Sequence, residues 1–349
     1  MNPSLEVIRG VSFEEAREKV EDAAGQIFAT DPAVRSVGVS RFGGAYGFRA
    51  VRNAGAIVPQ GVPVNRAASV RDVPVLFVDG PGEIAPLLKV PFTGLGSPQQ
   101  SSVVPEVNRY RHLVSGLQVQ NLDADTRRGI IEQGYISVGT LGCFVRLPSG
   151  RIGALSNNHV LADMNSGRKA QDRILQPGTY PPDENDVIGV LNDFVALRAS
   201  PPGLAPPHKD VALNEVDVAV AELADGIRWR QGFLPFRGQV APYTIAPPRL
   251  GDEVFKVGRT TGLTRGVVVD IGTIVGPVAY DEGPCWFRRA ITIEGIGGTT
   301  FSDRGDSGSI IVRSTGEIVG LLFAGNGQQT YACPIETAVD ALGCSLARV

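Results

Sequence analysis

From about residue 134 onward the chain keeps one texture: short apolar runs closed by Gly, Pro or Asp, without helices between them. YISVGTLGCFVRL, GRIGALSNNHVLA, DVIGVLNDFVAL, VDVAVAEL, DEVFKVGRTT, LTRGVVVDIGTIVG, CWFRRAITIEG, SGSIIVR, EIVGLLFAG and TYACPI follow in turn. Many strands without intervening helices argue for a sandwich or barrel. The 43 Gly and 25 Pro of the 349 residues supply the turns such an architecture needs. The polar stretch 165–209 reads as loop insertions, and 223–250 as a connector between two groups of strands. A closing helix over 335–346 is expected, with Ile335, Ala338, Val339, Leu342 and Leu346 on one face.

The first 90 residues differ. Ser12 and Glu15 form a capping box, and Phe13, Ala16, Val20, Ala23, Ala24 and Ile27 recur at helical spacing, so a helix is expected over 12–29. VRSVGVSRF, YGFRAVRN and VPVLFVDG read as strands. Residues 1–90 are therefore expected to form a small α+β domain. A linker follows over 91–125, opening on PFTGLGSPQQSS, and the main domain covers 126–349.

The totals exclude several classes. A net charge of −3 carries no basic footprint for nucleic acid. No apolar run approaches a membrane span, and no leader-like apolar stretch opens the chain. Cys143, Cys285, Cys333 and Cys344 are scattered, without a C-x-x-C pair for a metal, and read as reduced thiols of a cytoplasmic protein. GRTTG lacks the lysine of a phosphate cradle, and no cofactor is expected.

FSDRGDSGSI, residues 301–310, raises the question of chemistry. A serine hydroxyl is a weak nucleophile and needs a base, itself oriented by a carboxylate. The chain offers three histidines. His112 sits in a polar linker and His208 in PPHKD, whereas His159 ends the apolar run GALSNNHVLA. Asp217 opens the alternating strand VDVAVAEL, where an unpaired charge would be costly; Asp210, in HKD, is the exposed competitor. The order His159, Asp217, Ser307 separates barrel proteases from subtilisins and α/β-hydrolases.

These motifs resemble the chymotrypsin-like serine proteases, and within them the bacterial alpha-lytic protease and streptogrisin group, over the last ~215 residues. GTLGCFVR with ALSNNHVLA is similar to the family's strand pair leading to its His, and VDVAVAEL to its Asp strand. VFKVGRTTGLTRGVV, RGDSGSIIV and IVGLLFAGN are similar to three further family segments. LSNNHVLA behind a small N-terminal unit also resembles a set of intracellular bacterial trypsin-like proteins and the plant Narrow Leaf proteins. The resemblance implies a mainly β fold, a chymotrypsin-like double antiparallel β-barrel, with barrels over about 134–222 and 248–334. It implies a catalytic triad of His159, Asp217 and Ser307, and an oxyanion hole formed by the Gly305 and Ser307 amides. It further implies a Lys256–Asp306 pair bracing that loop without chain cleavage. Phe301 is expected at the base of the primary pocket and Arg304 at its rim, with Phe323, Ala324 and Gly325 alongside the substrate. There are departures. Val160, Phe255 and Arg265 stand where relatives carry cysteines, and Ser309 stands where they have Gly. Phe323 replaces a serine that commonly hydrogen-bonds the Asp, so the donor supporting Asp217 is not given by the resemblance.

The function so implied is a serine endopeptidase acting on protein or peptide substrates, with no nucleic-acid or membrane partner. The N-terminal domain is expected to regulate or target it, through a partner of its own. The alternative is a protease-like scaffold with little or triggered turnover. The oligomeric state is left open.

Overall fold

The computed structural model describes residues 11–42, 44–53, 68–70, 73–80, 83–85, 89–91, 105–179, 181–239, 241–242 and 244–348. Helix α1, Phe13–Thr30, begins where the capping box sets it: Ser12 Oγ accepts from the Glu15 amide at 3.2 Å. Ala16, Val20, Ala23, Ala24, Ile27 and Phe28 form its buried face. Strands β1 (Val34–Phe42), β2 (Ala45–Asn53), β3 (Ala68–Val70), β4 (Val73–Gly80) and β5 (Lys89–Pro91) follow, with α1 packed across β1 and β2.

The first barrel starts earlier than 134. After β6 (His112–Leu113) come β7 (Gln118–Asn121), α2 (Leu122–Arg127), β8 (Tyr135–Ser137), β9 (Gly139–Thr140), β10 (Phe144–Arg146) and β11 (Ile152–Ser156). The one-turn helix α3 (Asn158–Leu161), β12 (Arg173–Leu175), β13 (Val187–Phe194), β14 (Leu213–Asn214) and β15 (Ala219–Leu223) continue the chain. The sheet runs β10–β11–β15–β13–β12–β7–β9, antiparallel at every step. Its two ends, β9 and β10, are neighbours in sequence, so the sheet curls into a barrel.

Next come β16 (Arg228–Trp229), β17 (Thr244–Ile245), β18 (Glu253–Gly258), β19 (Gly262–Tyr280), β20 (Gly283–Gly295), β21 (Ile310–Arg313), β22 (Glu317–Gly325) and β23 (Gln329–Pro334). Of these, β20–β23–β22–β21–β18–β19 form the second barrel, closed by pairing of β19 with β20. The chain ends in α4 (Ile335–Ala341) and β24 (Ser345–Leu346). Cys143, Val145, Leu155 and Val218 of one barrel pack with Phe255, Ile310, Val312 and Leu321 of the other, and α4 adds Ile335, Ala338 and Val339. This shared core holds the barrels side by side. The double antiparallel β-barrel expected from the sequence is the observed fold.

Three boundaries differ. Residues 92–104 of the expected linker lie outside the described residues, but β7 joins the first barrel's sheet and Leu113, Val114 and Leu117 enter its core. Gln118, Gln120 and Asn121 of β7 are buried polar residues, each donating its amide to Gly178 O, Asp125 Oδ2 and Leu161 O respectively. A strand this polar has no apolar alternation to betray it. The closing helix stops at Ala341, because Gly343 takes φ +63° and the chain turns so that β24 pairs with β10. The N-terminal strands are not a separate sheet: β1 pairs antiparallel with the outer half of β19, Ser36 opposite Val275 and Val39 opposite Ile271.

Candidate active site

Strand β11 delivers the chain to α3, which presents His159 at the barrel end. His159 is 7% exposed and Asp217 fully buried, whereas His112, His208 and Asp210 lie exposed on the surface. His159 Nδ1 is hydrogen-bonded to Asp217 Oδ2, and the His159 amide donates to Asp217 Oδ1 at 3.3 Å. Asn157 Nδ2 fixes the same strand by donating to Asp217 O at 2.7 Å. His159 Nε2 is buried and has no protein partner among the described residues.

A third donor reaches the carboxylate. Tyr280 Oη, at the far end of β19, donates to Asp217 Oδ2 at 2.7 Å. Burial first, and then Asp217, push its phenol well above the ordinary tyrosine value, so the group keeps its proton. Tyr280 thus makes the contact that Phe323, lacking a hydroxyl, cannot. Nothing in VGPVAYDEG marks this tyrosine; only the length of β19 brings it here. His159, Tyr280, Phe287 and Phe323 form a continuous aromatic wall, with ring centroids 5.4, 6.2 and 4.4 Å apart in turn.

Ser307 sits in the loop before β21, 3% exposed, with its hydroxyl donating to Phe323 O at 3.3 Å. The Ser307 loop and α3 meet across Gly139: a Cβ there would lie 2.6 Å from Val160 side-chain carbons and 3.1 Å from Ser307 O. Thr140 N donates to Ser307 O at 2.8 Å, and Thr140 Oγ1 to Gly305 O at 2.9 Å. Gly305 has φ +98°, and a side chain there would strike Thr260 Oγ1 at 2.4 Å. Among the described residues neither the Gly305 nor the Ser307 amide donates to a protein acceptor.

Asp306 turns the other way, into a fully buried pocket of donors. The Thr260 and Thr261 amides reach Oδ1 at 2.9 and 3.2 Å; Thr261 Oγ1 and the Asp303 amide reach Oδ2 at 2.6 and 3.0 Å. Lys256 Nζ, also fully buried, stands 3.1 Å from Oδ2 and donates to Gly262 O at 3.0 Å. Burial pushes the Asp306 carboxyl up, but Lys256 and these donors outweigh it and hold it below the usual carboxylate range. Burial holds the Lys256 ammonium below the ordinary lysine value, with Asp306 opposing.

A cleft of about 240 Å³ opens beside Ser307, lined by Ser302, Arg304, Leu322, Ala324 and Gly325. Arg304 is exposed at its mouth. Phe301 is a correction: its ring is 1% exposed inside the second barrel, packed with Val254, Val268 and Ile293, and Ser302 faces the cleft instead. A strand-like stretch alternates sides, and the apolar ring takes the dry one. Phe323 likewise contributes its carbonyl while its ring stays in the core. All four cysteines are free and buried, and burial pushes Cys143, Cys285 and Cys333 up to about 12. Among the described residues no cluster of His, Cys, Asp and Glu could hold a metal ion, and no helix is long and apolar enough to cross a membrane.

No protein-family model and no curated protein matches the chain. Among solved structures it is similar to a Cellulomonas bogoriensis chymotrypsin, at 18% identity and TM-score 0.40, over 60% of this chain and 91% of that one. It is similar to Thermobifida fusca Protease A, at 16% identity and TM-score 0.41, over 61% and 92%. A Nocardiopsis protease matches at 13% identity and TM-score 0.45, over 68% of this chain and 100% of the other.

Proposed function

We propose that the chain is a serine endopeptidase in which Ser307 is the nucleophile, His159 the base and Asp217 the carboxylate that orients it. One observation carries this reading: a buried imidazole bonded through Nδ1 to a carboxylate, with a buried, unpartnered Nε2, on a helix packed against the loop of a buried serine. A carboxylate accepting from Tyr280 and the His159 amide requires His159 to donate through Nδ1–H. That tautomer leaves the Nε2 lone pair free to take a proton.

For reaction the Ser307 hydroxyl leaves Phe323 O and gives its hydrogen bond to Nε2 instead. Ser307 Oγ then bonds to the substrate carbonyl carbon as its proton passes to Nε2, and the carbonyl electrons move onto oxygen. The Gly305 and Ser307 amides, with no protein acceptor, are the donors for that oxyanion, and the Lys256–Asp306 pair holds their loop. Collapse breaks the C–N bond, the imidazolium protonates the departing amine, and water repeats the sequence on the acyl-enzyme. Ala324 and Gly325 border the substrate and Arg304 stands at its entrance.

Labelling with a fluorophosphonate tests the assignment. Labelling is expected on the full chain and lost in Ser307→Ala, with kcat on a peptide falling roughly 10⁴–10⁶-fold. Labelling that survives Ser307→Ala, or that never occurs, overturns it.

A further inference from the structure

One wall of the cleft beside Ser307 comes from a distant part of the chain. Glu83 and Ala85 line it, although they precede the barrels by dozens of residues. Ala85 pairs with Gly325 as an isolated antiparallel bridge: the Ala85 amide donates to Gly325 O at 3.1 Å, and the Gly325 amide to Ala85 O at 3.3 Å. On the other side Ile84 bridges Val278 of β19, with the Ala279 amide donating to Ile84 O at 3.0 Å. Ile84 is 1% exposed in a cluster that includes Met164, Leu197, Phe287 and the two residues nearest the chemistry, Tyr280 and Phe323. Residues 83–85 thus behave as a short strand slotted between β19 and the edge of β22.

The direction of that strand matters. A peptide laid antiparallel on β22 with one residue opposite Gly325 brings the residue two positions further on level with Phe323. Phe323 O is where the Ser307 hydroxyl rests. An extended peptide on this edge therefore runs towards the nucleophile. The described chain resumes at β5, which pairs with β8. The continuation of β8, Gly139–Thr140, touches Ser307 O.

Resting on the protease reading above, we infer that this chain's own Glu83–Ile84–Ala85 blocks the β22 edge at Gly325 in cis, and that an incoming extended peptide displaces it and seats a branched aliphatic side chain in its place. The aliphatic side chain enters the dry seat now taken by Ile84. The following residue makes the two backbone hydrogen bonds to Gly325. A tethered occupant competes at the high effective concentration of an intramolecular ligand. An incoming chain then binds only in the fraction of molecules whose site is open. The site is sensitive to whatever lifts residues 83–85.

The test is peptide binding to the full chain in a Ser307→Ala background, where nothing is hydrolysed. The probe is a fluorescein-labelled Gly-Glu-Ile-Ala-Pro-Leu peptide, read by anisotropy. Ala85→Pro removes the N–H given to Gly325, so the peptide is expected to bind about tenfold or more tightly to that double variant than to Ser307→Ala alone. Ile84→Ala, which loosens the anchor without a backbone change, is expected to act in the same direction and covers the case in which Ala85→Pro misfolds. The same peptide with aspartate in place of isoleucine is expected to lose binding at least tenfold. Equal affinity for the parent and both Ile84→Ala and Ala85→Pro chains overturns the inference. Fluorophosphonate labelling at Ser307 separates the two ideas, because a small phosphonylating group needs no strand pairing on β22. Labelling with unchanged peptide affinity sinks the cis occupant and leaves the protease. Tighter peptide binding without labelling supports the occupant and sinks the catalysis.

Discussion

Tyr280 and Phe323 show how far single residues can be read. Phe323 was recognisable in the sequence as a position without a hydroxyl; its carbonyl accepts from Ser307 while its ring lies in the core. The donor that replaces the missing hydroxyl comes from Tyr280, which lies 63 residues from Asp217 and carries no local signal. Phe301 failed for a non-local reason: in FSDRGDSGSI the choice between the dry and the wet side of the chain depends on the barrel interior, which is distant in sequence. Tyr280→Phe keeps the ring and removes one donor to a buried carboxylate. The loss is expected to be about 1.5–3 kcal/mol in unfolding free energy and roughly 5- to 30-fold in kcat/KM. A stability loss with unchanged kcat/KM would show that Tyr280 only packs.

At the scale of elements, the apolar runs became strands nearly where they were read, because alternation and Gly or Pro punctuation are local properties. Polar strands were not legible: β7 is held by amide hydrogen bonds to partners 40 or more residues away at Gln118 and Asn121. The Ser307 loop is an element whose conformation depends on one buried pair. Asp306 lies below its ordinary value of 3.8 in the folded chain, so it adds stability above that pH, and the contribution is lost as pH falls through the depressed folded value. Lys256→Met leaves the carboxylate buried without its cation, at a cost of about 3–5 kcal/mol at neutral pH. In that variant the folded value rises because the cation is gone, so protonating Asp306 in acid relieves part of the cost. Thermal unfolding of both chains between pH 3 and 7 is expected to show the difference narrowing in acid. A constant difference across that range would mean the pair is not what titrates.

At the scale of the whole molecule, the N-terminal strands extend the second barrel's sheet instead of standing apart. Arg49 on β2 reaches Asp270 on β19 at 2.9 Å, and Phe28 of α1 packs edge-on against Trp286 of β20, 5.0 Å between centroids. Deleting residues 1–53 uncovers Ile274, Trp286 and the paired edge of β19. An exposed apolar edge invites strand pairing between molecules, so the truncated chain is expected to aggregate on size-exclusion chromatography. A soluble, monomeric truncation would instead mark this region as detachable. The sequence alone determined the strand-rich class, the capped first helix and the order of His159, Asp217 and Ser307 along the chain. Each rests on local periodicity, turn chemistry or short motifs. Tertiary structure alone decided that Tyr280 supports Asp217, that Phe301 is core, that the N-terminal sheet is continuous with the second barrel, and that Ile84 and Ala85 lie in the cleft. These are contacts between residues tens to hundreds of positions apart, and a linear pattern carries no record of which distant strands close onto one another.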